Sequence, residues 1–140
     1  MASYKSACTN KLLVAGHSFV RRLTEYVDGK NVTIHGHKVA FHGFGGATAK
    51  TLMAKLRSID PANFCAVFVE TGTNDLCSSY VDIVARDILS LVTFLRDRGI
   101  RKIVVGEILF RNKPKVGQPS VREFIARVRD TNLRLKKWFR

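Results

Sequence analysis

The sequence predicts an α/β domain of three layers, α/β/α, with a parallel sheet in the middle. Short apolar runs alternate with amphipathic runs along the whole chain, in the order β-α-β-α-β-α-β-α. Such an alternation favours parallel strands that are covered by helices on both faces. The 140 residues contain no repeat, linker or low-complexity tract, so residues 1–140 are predicted to form a single domain.

The first half of the chain supplies two strands and two helices of this pattern. Residues 11–15 (KLLVA) are typical of a buried strand, and residues 18–27 follow as a helix. Residues 32–41 are strand-like although Gly36 interrupts them, and residues 48–59 carry apolar residues at helical spacing.

The second half repeats the alternation with stronger signals. Residues 64–72 (FCAVFVETG) are the clearest strand, and residues 101–109 (RKIVVGEIL) are the fourth. Between them residues 79–98 form a long amphipathic helix, and a last helix begins at Ser120. The residues predicted to be buried in these helices are Val81, Val84, Ile88, Leu91, Val92 and Leu95, then Val121, Phe124, Ile125, Val128 and Leu135. We expect the four strands in the order 2-1-3-4.

The cysteines and the N-terminus indicate a reducing compartment. Cys8, Cys65 and Cys77 are odd in number and lack C-x-x-C spacing, which is typical of reduced thiols rather than of a disulfide framework. No apolar run approaches the ~20 residues of a membrane span, and the first residues show no secretion signal. We therefore expect a cytoplasmic or nuclear protein without a membrane partner.

Positive charge is concentrated in the last third of the chain. The chain has 24 Lys and Arg residues against 11 Asp and Glu, a net charge of +13, and residues 96–140 supply +10 of it. Such a basic region can attract a polyanion, or it can be an ordinary solvated face.

Polar residues follow three of the predicted strands, at the ends where parallel sheets bind their ligands. Ser18 follows the first strand, and its hydroxyl is either a helix N-cap or a nucleophile at the positive end of the helix. The loop around Gly46 offers backbone N–H groups to an oxyanion or a phosphate, or it is a plain turn. After the third strand, Asn74 is a donor that can stabilise an oxyanion, and Asp75 is predicted to cap or brace the loop, although an Asn-Asp pair is also ordinary in a turn.

Taken together, these stretches resemble the sequence blocks of the SGNH or GDSL-type hydrolases. Residues 16–18 (GHS) stand where that family has Gly-Asp-Ser, and Gly46 matches the glycine of its second block. Residues 72–75 (GTND) are its third block, Gly-x-Asn-Asp, and Asn132 in TNLRL is similar to its last-helix pattern.

The resemblance implies a flavodoxin-like sheet and a serine esterase or acyl hydrolase that acts on a small ester without a cofactor. By the same resemblance Ser18 is the nucleophile. The backbone amides of Ser18 and Gly46, with the side chain of Asn74, form the oxyanion hole.

Two departures from the family concern the acid–base partner of the serine. His17 replaces the aspartate of the first block, and the Asp-x-x-His block that supplies the family's base is absent from this sequence. His42, at the end of the second predicted strand, is the candidate substitute base. Because a serine hydroxyl without a positioned base is a poor nucleophile, we expect low or no activity.

No metal site is predicted. His35 and His37 would share one face of a strand, but no third ligand accompanies them in the sequence.

The missing block also predicts an unpaired sheet edge. A further strand would lie beside residues 101–109, and without it that strand is an open apolar edge, which proteins normally avoid. The interpretations are a truncated copy of the fold, a fragment, or a chain that is completed by an edge-strand partner or by dimerisation.

A second reading of the function is a non-catalytic module that binds RNA or DNA. The basic side chains that would contact phosphates are Arg111, Lys113, Lys115, Lys136 and Lys137. No sequence motif of a common nucleic-acid-binding fold accompanies them.

Overall fold

The computed structural model describes residues 11–28, 30–110 and 120–139. Its strands are β1 (Lys11–Gly16), β2 (Thr33–Ile34), β3 (His37–Gly43), β4 (Ala66–Glu70) and β5 (Lys102–Val105). Its α-helices are α1 (Ser18–Tyr26), α2 (Ala49–Leu56), α3 (Val81–Asp97) and α4 (Val121–Trp138). Two short 3-10 turns, Pro61–Asn63 and Asp75–Cys77, precede β4 and α3.

The strands form one sheet in the order β2-β3-β1-β4-β5. The four longer strands are parallel, with Val14 of β1 opposite Phe41 of β3 on one side and Phe68 of β4 on the other. This arrangement confirms the predicted order 2-1-3-4 and the α/β fold class.

The second predicted strand, residues 32–41, is in fact a hairpin. β2 pairs antiparallel with β3, and residues 35 and 36 form the turn between them. Both turn residues have positive φ, 51° at His35 and 80° at Gly36. A two-residue hairpin turn of type I′ requires positive φ at both of its central residues. His35 therefore lies in a turn, and the expectation that it shares a strand face with His37 is wrong.

One face of the sheet carries the main core. Leu13 and Ala15 of β1 and Val67 and Val69 of β4 are fully buried against α2 and α3. The predicted stripe of α3 is buried except for Val81, which is half-buried. α4 packs beside α3 through Phe124 and Val128, whereas Val121 is 41% exposed because it lies at the first turn, outside this cluster.

The other face carries α1, which lies directly on β1 and β3. A Cβ atom on Gly16 would lie 2.8 Å from Cγ2 of Val20, and one on Gly43 would lie 2.0 Å from the backbone nitrogen of Arg21. Gly43 therefore lets the helix backbone approach the sheet closely, whereas Gly16, its partner on β1, makes room for the Val20 side chain and for the carbonyl oxygen of Glu70, which a Cβ atom would meet at 2.3 Å. Helices lie on both faces, as a three-layer fold requires.

The fourth strand, predicted over residues 101–109, is shorter than expected, since β5 covers only Lys102–Val105. Beyond it the side chain of Asn132 on α4 holds the backbone of Ile108, accepting from its N–H at 2.8 Å and donating to its C=O at 3.2 Å. A side-chain amide thus makes the hydrogen bonds that a neighbouring strand would make. Among the described residues β5 pairs with β4 alone, which agrees with the predicted open edge.

None of the helices in the described part of the chain is both long enough and apolar enough to cross a bilayer.

Candidate active site

The carboxyl ends of β1, β3 and β4 are joined by backbone hydrogen bonds. Phe44 N–H donates to the carbonyl of Gly16 at 2.9 Å, and His17 N–H donates to the carbonyl of Glu70 at 3.3 Å. The loops that follow these strands carry Ser18, Gly46 and Asn74, so all three residues belong to one edge of the sheet.

Ser18 is the first residue of α1 and is half-buried. The N-cap of this helix is His17, whose Nδ1 accepts a hydrogen bond from Phe19 N–H at 3.4 Å. The interpretation of Ser18 as the N-cap is therefore wrong. Its position at the N-terminus of the helix puts the positive end of the helix dipole at its hydroxyl.

The loop that contains Gly46 has open space beside its backbone. Gly46 has a φ of +72°, and no heavy atom lies within 4 Å of the position that a Cβ atom would take. Glycine is therefore needed for the conformation, and the space beside it is open. The loop ends at Thr48, which caps α2 by accepting from Thr51 N–H at 3.3 Å.

The loop after β4 supports the Gly46 loop through two side chains. Asn74 Nδ2 donates to the carbonyl of Ala47 at 3.0 Å, and Asp75 Oδ2 accepts from Ala49 N–H at 3.0 Å. Asp75 therefore ties the loop after β4 to the first N–H of α2, which agrees with the predicted capping or bracing role. Burial raises the pKa of the Asp75 carboxyl, and the hydrogen bond from Ala49 opposes that rise.

A buried histidine–glutamate pair lies beneath this edge, and the sequence reasoning missed Glu70. His17 is fully buried and Glu70 is 7% exposed, with Nε2 and Oε1 3.9 Å apart. Burial raises the pKa of Glu70 to about 7. The signal in the sequence was an acidic residue at the end of the apolar run FCAVFVE, where only a paired or neutral carboxyl is tolerated.

His42, the candidate substitute base, lies one residue before the end of β3. It is opposite Ala15, on the sheet face that packs against α2 and α3, whereas α1 lies on the face of Gly43. Its part in the chemistry stays a prediction.

The basic residues singled out in the sequence are only partly within the described residues. Lys136 forms an ion pair with Glu107 at 2.9 Å, and Lys137 is exposed. Arg111, Lys113 and Lys115 lie outside the described residues. In the described part of the chain, no three His, Cys, Asp or Glu side chains are grouped to hold a metal ion.

No protein-family model matches the chain, and no curated protein matches its sequence. Solved structures do match it. A protein assigned as a platelet activating factor from Streptococcus pneumonia is 18% identical with a TM-score of 0.64, covering 94% of this chain and 63% of its own. Axe2, an acetylxylan esterase from Geobacillus stearothermophilus, is 15% identical with a TM-score of 0.56, covering 93% of this chain and 75% of its own.

A protein assigned as an acylhydrolase from Bacteroides fragilis is 17% identical, with a TM-score of 0.58 over 91% of this chain. The chain has an SGNH-hydrolase-like fold. It spans 64% of the length of the Bacteroides protein and 63% of that of the Streptococcus protein. At these identities the likeness concerns the SGNH-like fold, and the activity of this chain is a separate question.

Proposed function

We propose that this chain is a serine ester hydrolase-like domain that binds a small acyl ester at the carboxyl edge of β1, β3 and β4. Ser18 is the proposed nucleophile, and the backbone amides of Ser18 and Gly46 with the side chain of Asn74 are the proposed oxyanion donors. The observation that carries the proposal is a pair of hydrogen bonds: Asn74 Nδ2 donates to the carbonyl of Ala47, and Asp75 Oδ2 accepts from Ala49 N–H, so the Asn74 side chain is held against the Gly46 loop and the start of α2.

Fixed donors of this kind favour catalysis because they need no reorganisation when charge develops on the substrate oxygen. The bare side of Gly46 leaves room for that oxygen to approach the backbone. Ser18 adds the N-terminus of α1, where a developing negative charge is stabilised.

The same geometry favours slow hydrolysis of the ester. His17 is buried and its Nδ1 accepts from Phe19 N–H, so it holds the turn of Ser18 rather than facing a substrate. The 140-residue sequence contains no Asp-x-x-His block. For the 140-residue chain the proposal therefore invokes binding and oxyanion stabilisation as the catalytic contributions.

We expect the 140-residue chain to hydrolyse 4-nitrophenyl acetate slowly, by roughly 10³ over background, which is the residual effect of an oxyanion hole without its triad. Asn74→Ala should lower this residual rate by about 10², whereas Ser18→Ala should change it little. Ser18→Cys should add a burst of nitrophenol equal to the protein concentration, because a thiolate at a helix N-terminus is nucleophilic without a base.

Two matched variants serve as controls. Asn31→Ala removes an exposed asparagine before β2, and Ser120→Cys puts a thiol at the exposed N-cap of α4. If Asn74→Ala behaves like Asn31→Ala, the oxyanion site is contradicted. Brisk turnover by the wild type that is lost in Ser18→Ala would instead show that a base exists, and loss in His42→Ala would identify it.

A second candidate function is weak binding of RNA or DNA, and the exposed surface of α4 favours it. The exposed charged residues of α4 are five basic and two acidic: Arg122, Arg129, Arg134, Lys136 and Lys137, against Glu123 and Asp130. A helix face of this composition can follow a phosphate backbone without reading sequence.

Neutralising Lys113, Lys115, Lys136 and Lys137 to glutamine should weaken binding to single-stranded RNA and reduce its salt slope by up to about 3. The measurement is fluorescence anisotropy of a labelled oligonucleotide across a salt series. The control variant makes the same change of charge at four lysines that are exposed elsewhere. It replaces each of them with glutamine: Lys30, Lys38, Lys50 and Lys55. An equal loss in both variants would mean that the binding follows net charge alone.

A further inference from the structure

The two faces of the sheet are covered unequally in the described part of the chain. α2 and α3 bury the face of Leu13 and Val67, whereas α1 covers the other face only over β3 and β1. On this second face, exposure rises across three residues that are paired in register. Val14 of β1 is half-buried, Phe68 of β4 is 37% exposed and Val104 of β5 is 46% exposed.

The flank of α1 that faces β4 is also apolar. Arg21 lies over Gly43 and Gly45, on the β3 side of the helix. Residues two positions away lie about 200° around the helix axis, so Phe19 and Leu23 are on the opposite side, towards β4. They are 38% and 40% exposed, and Tyr26 continues the same stripe. We define the open strip as Val14, Phe68 and Val104, which form its floor, with Phe19, Leu23 and Tyr26, which form its wall.

The open strip has the width of one helix. Neighbouring strands lie about 4.8 Å apart, so β4 and β5 together offer about 10 Å beside α1. Packed helices have axes 8–10 Å apart, which leaves room for one more helix and not for a second layer of sheet.

The exposed charges around the open strip are positive, whereas Glu70, two residues after Phe68 on the same face of β4, is buried. Lys102 is exposed on β5, two residues before Val104 and therefore on the same face, and Arg22 is exposed above the wall. Lys30 places its Nζ 4.5 Å from the ring of Tyr26. Glu25, the acidic residue of α1, lies on the far side of the helix near Arg21.

We propose that the open strip binds an amphipathic helix of a partner protein whose apolar stripe is flanked by acidic residues. Such a helix would complete the layer that α1 begins, and its acidic residues would meet Arg22, Lys30 and Lys102. A second copy of this chain fits less well, because a net charge of +13 on each copy opposes self-association. The proposal is independent of any activity at Ser18.

The probe is a labelled helical peptide of about 18 residues, with Leu at positions i, i+3, i+4 and i+7 and Glu at the flanking positions. The comparison peptide has Lys in place of every Glu. By fluorescence anisotropy, Leu23→Asp and Val104→Asp should each weaken binding of the Glu peptide at least about tenfold. Ile83→Asp is the matched control, because Ile83 is 42% exposed on α3, at the opposite face, and this variant should stay within about twofold of the wild type. Lys102→Glu should also weaken binding.

A measurement on the unchanged protein avoids the question of whether the variants fold. On titration with the Glu peptide, the methyl NMR signals of Leu23 and Val104 should shift, and those of Ile83 and Leu133 should not. Equal binding of the Lys peptide, or shifts centred on Ile83 or Leu133, would overturn the proposal. So would a wild-type dimer in sedimentation velocity that Val104→Asp dissociates, because a second copy would then be the occupant.

Discussion

Gly43→Ala is expected to lower the free energy of unfolding by at least about 3 kcal/mol. The added methyl group would lie 2.0 Å from the backbone nitrogen and 2.4 Å from Cα of Arg21. Backbone atoms cannot turn away as a flexible side chain does, so α1 would have to move off the sheet. Urea unfolding followed by circular dichroism measures the change.

Gly45→Ala is the matched control for this variant. Gly45 lies two residues later, in the loop that follows β3, and its added methyl group would lie 3.4 Å from Nε of Arg21, which is an ordinary contact with a flexible side chain. We expect a loss below about 1 kcal/mol for Gly45→Ala. If both variants lose the same stability, close approach of α1 to Gly43 is not what the glycine provides.

Glu70→Gln is expected to stabilise the protein at pH 8 by about 3 kcal/mol relative to the wild type. Burial raises the pKa of Glu70 from 4.5 to about 7, so the folded protein binds this proton more tightly than the unfolded chain does. The stability that the protonated carboxyl contributes is fully present below pH 4.5 and is lost as the pH rises through about 7. Glutamine is neutral at every pH and nearly the same shape, so the variant avoids this loss.

The difference between the two unfolding free energies, measured in urea from pH 4.5 to pH 8, isolates Glu70 from Asp75, whose pKa is also raised by burial. The two proteins should be close at pH 4.5 and diverge above it. Glu25→Gln, at an exposed position on α1, should follow the wild type throughout. Parallel curves for Glu70→Gln and the wild type would show that Glu70 is already charged in the folded protein.

The parallel strands and their order could be predicted because apolar runs of strand length alternate with helical stripes. The hairpin of β2 and β3 could not, since its turn uses His35 with a positive φ, and histidine is not a strong turn residue. Likewise the backbone of Ile108, beyond the end of β5, is held by Asn132, which lies 24 residues away in the chain. No local pattern encodes a contact of that range.

The candidate site likewise contains residues that could be predicted from the sequence and one that could not. Ser18, Gly46 and Asn74 each follow a strand, and strand ends could be recognised in the sequence. Glu70 was missed because it lies within the strand β4 and its partner, His17, follows the neighbouring strand β1. The two residues are far apart in the sequence and meet only in the folded sheet. The exposure of Phe68 and Val104 could not be predicted either, because apolar strand residues are expected to be covered on both faces of such a sheet.

The two hydrogen bonds between the side chain of Asn132 and the backbone of Ile108 bear on the order in which the chain folds. The segment after β5 continues the sheet by one backbone hydrogen bond, from Gly106 N–H to the carbonyl of Val69, and beyond it the bonds to Ile108 come from Asn132 of α4. The neighbouring carbonyl of Leu109 accepts from the hydroxyl of Thr73, next to Asn74. We therefore expect the last helix, this segment and the Asn74 loop to become ordered together, after the sheet of β1, β3 and β4, and to lose their order together before that sheet unfolds.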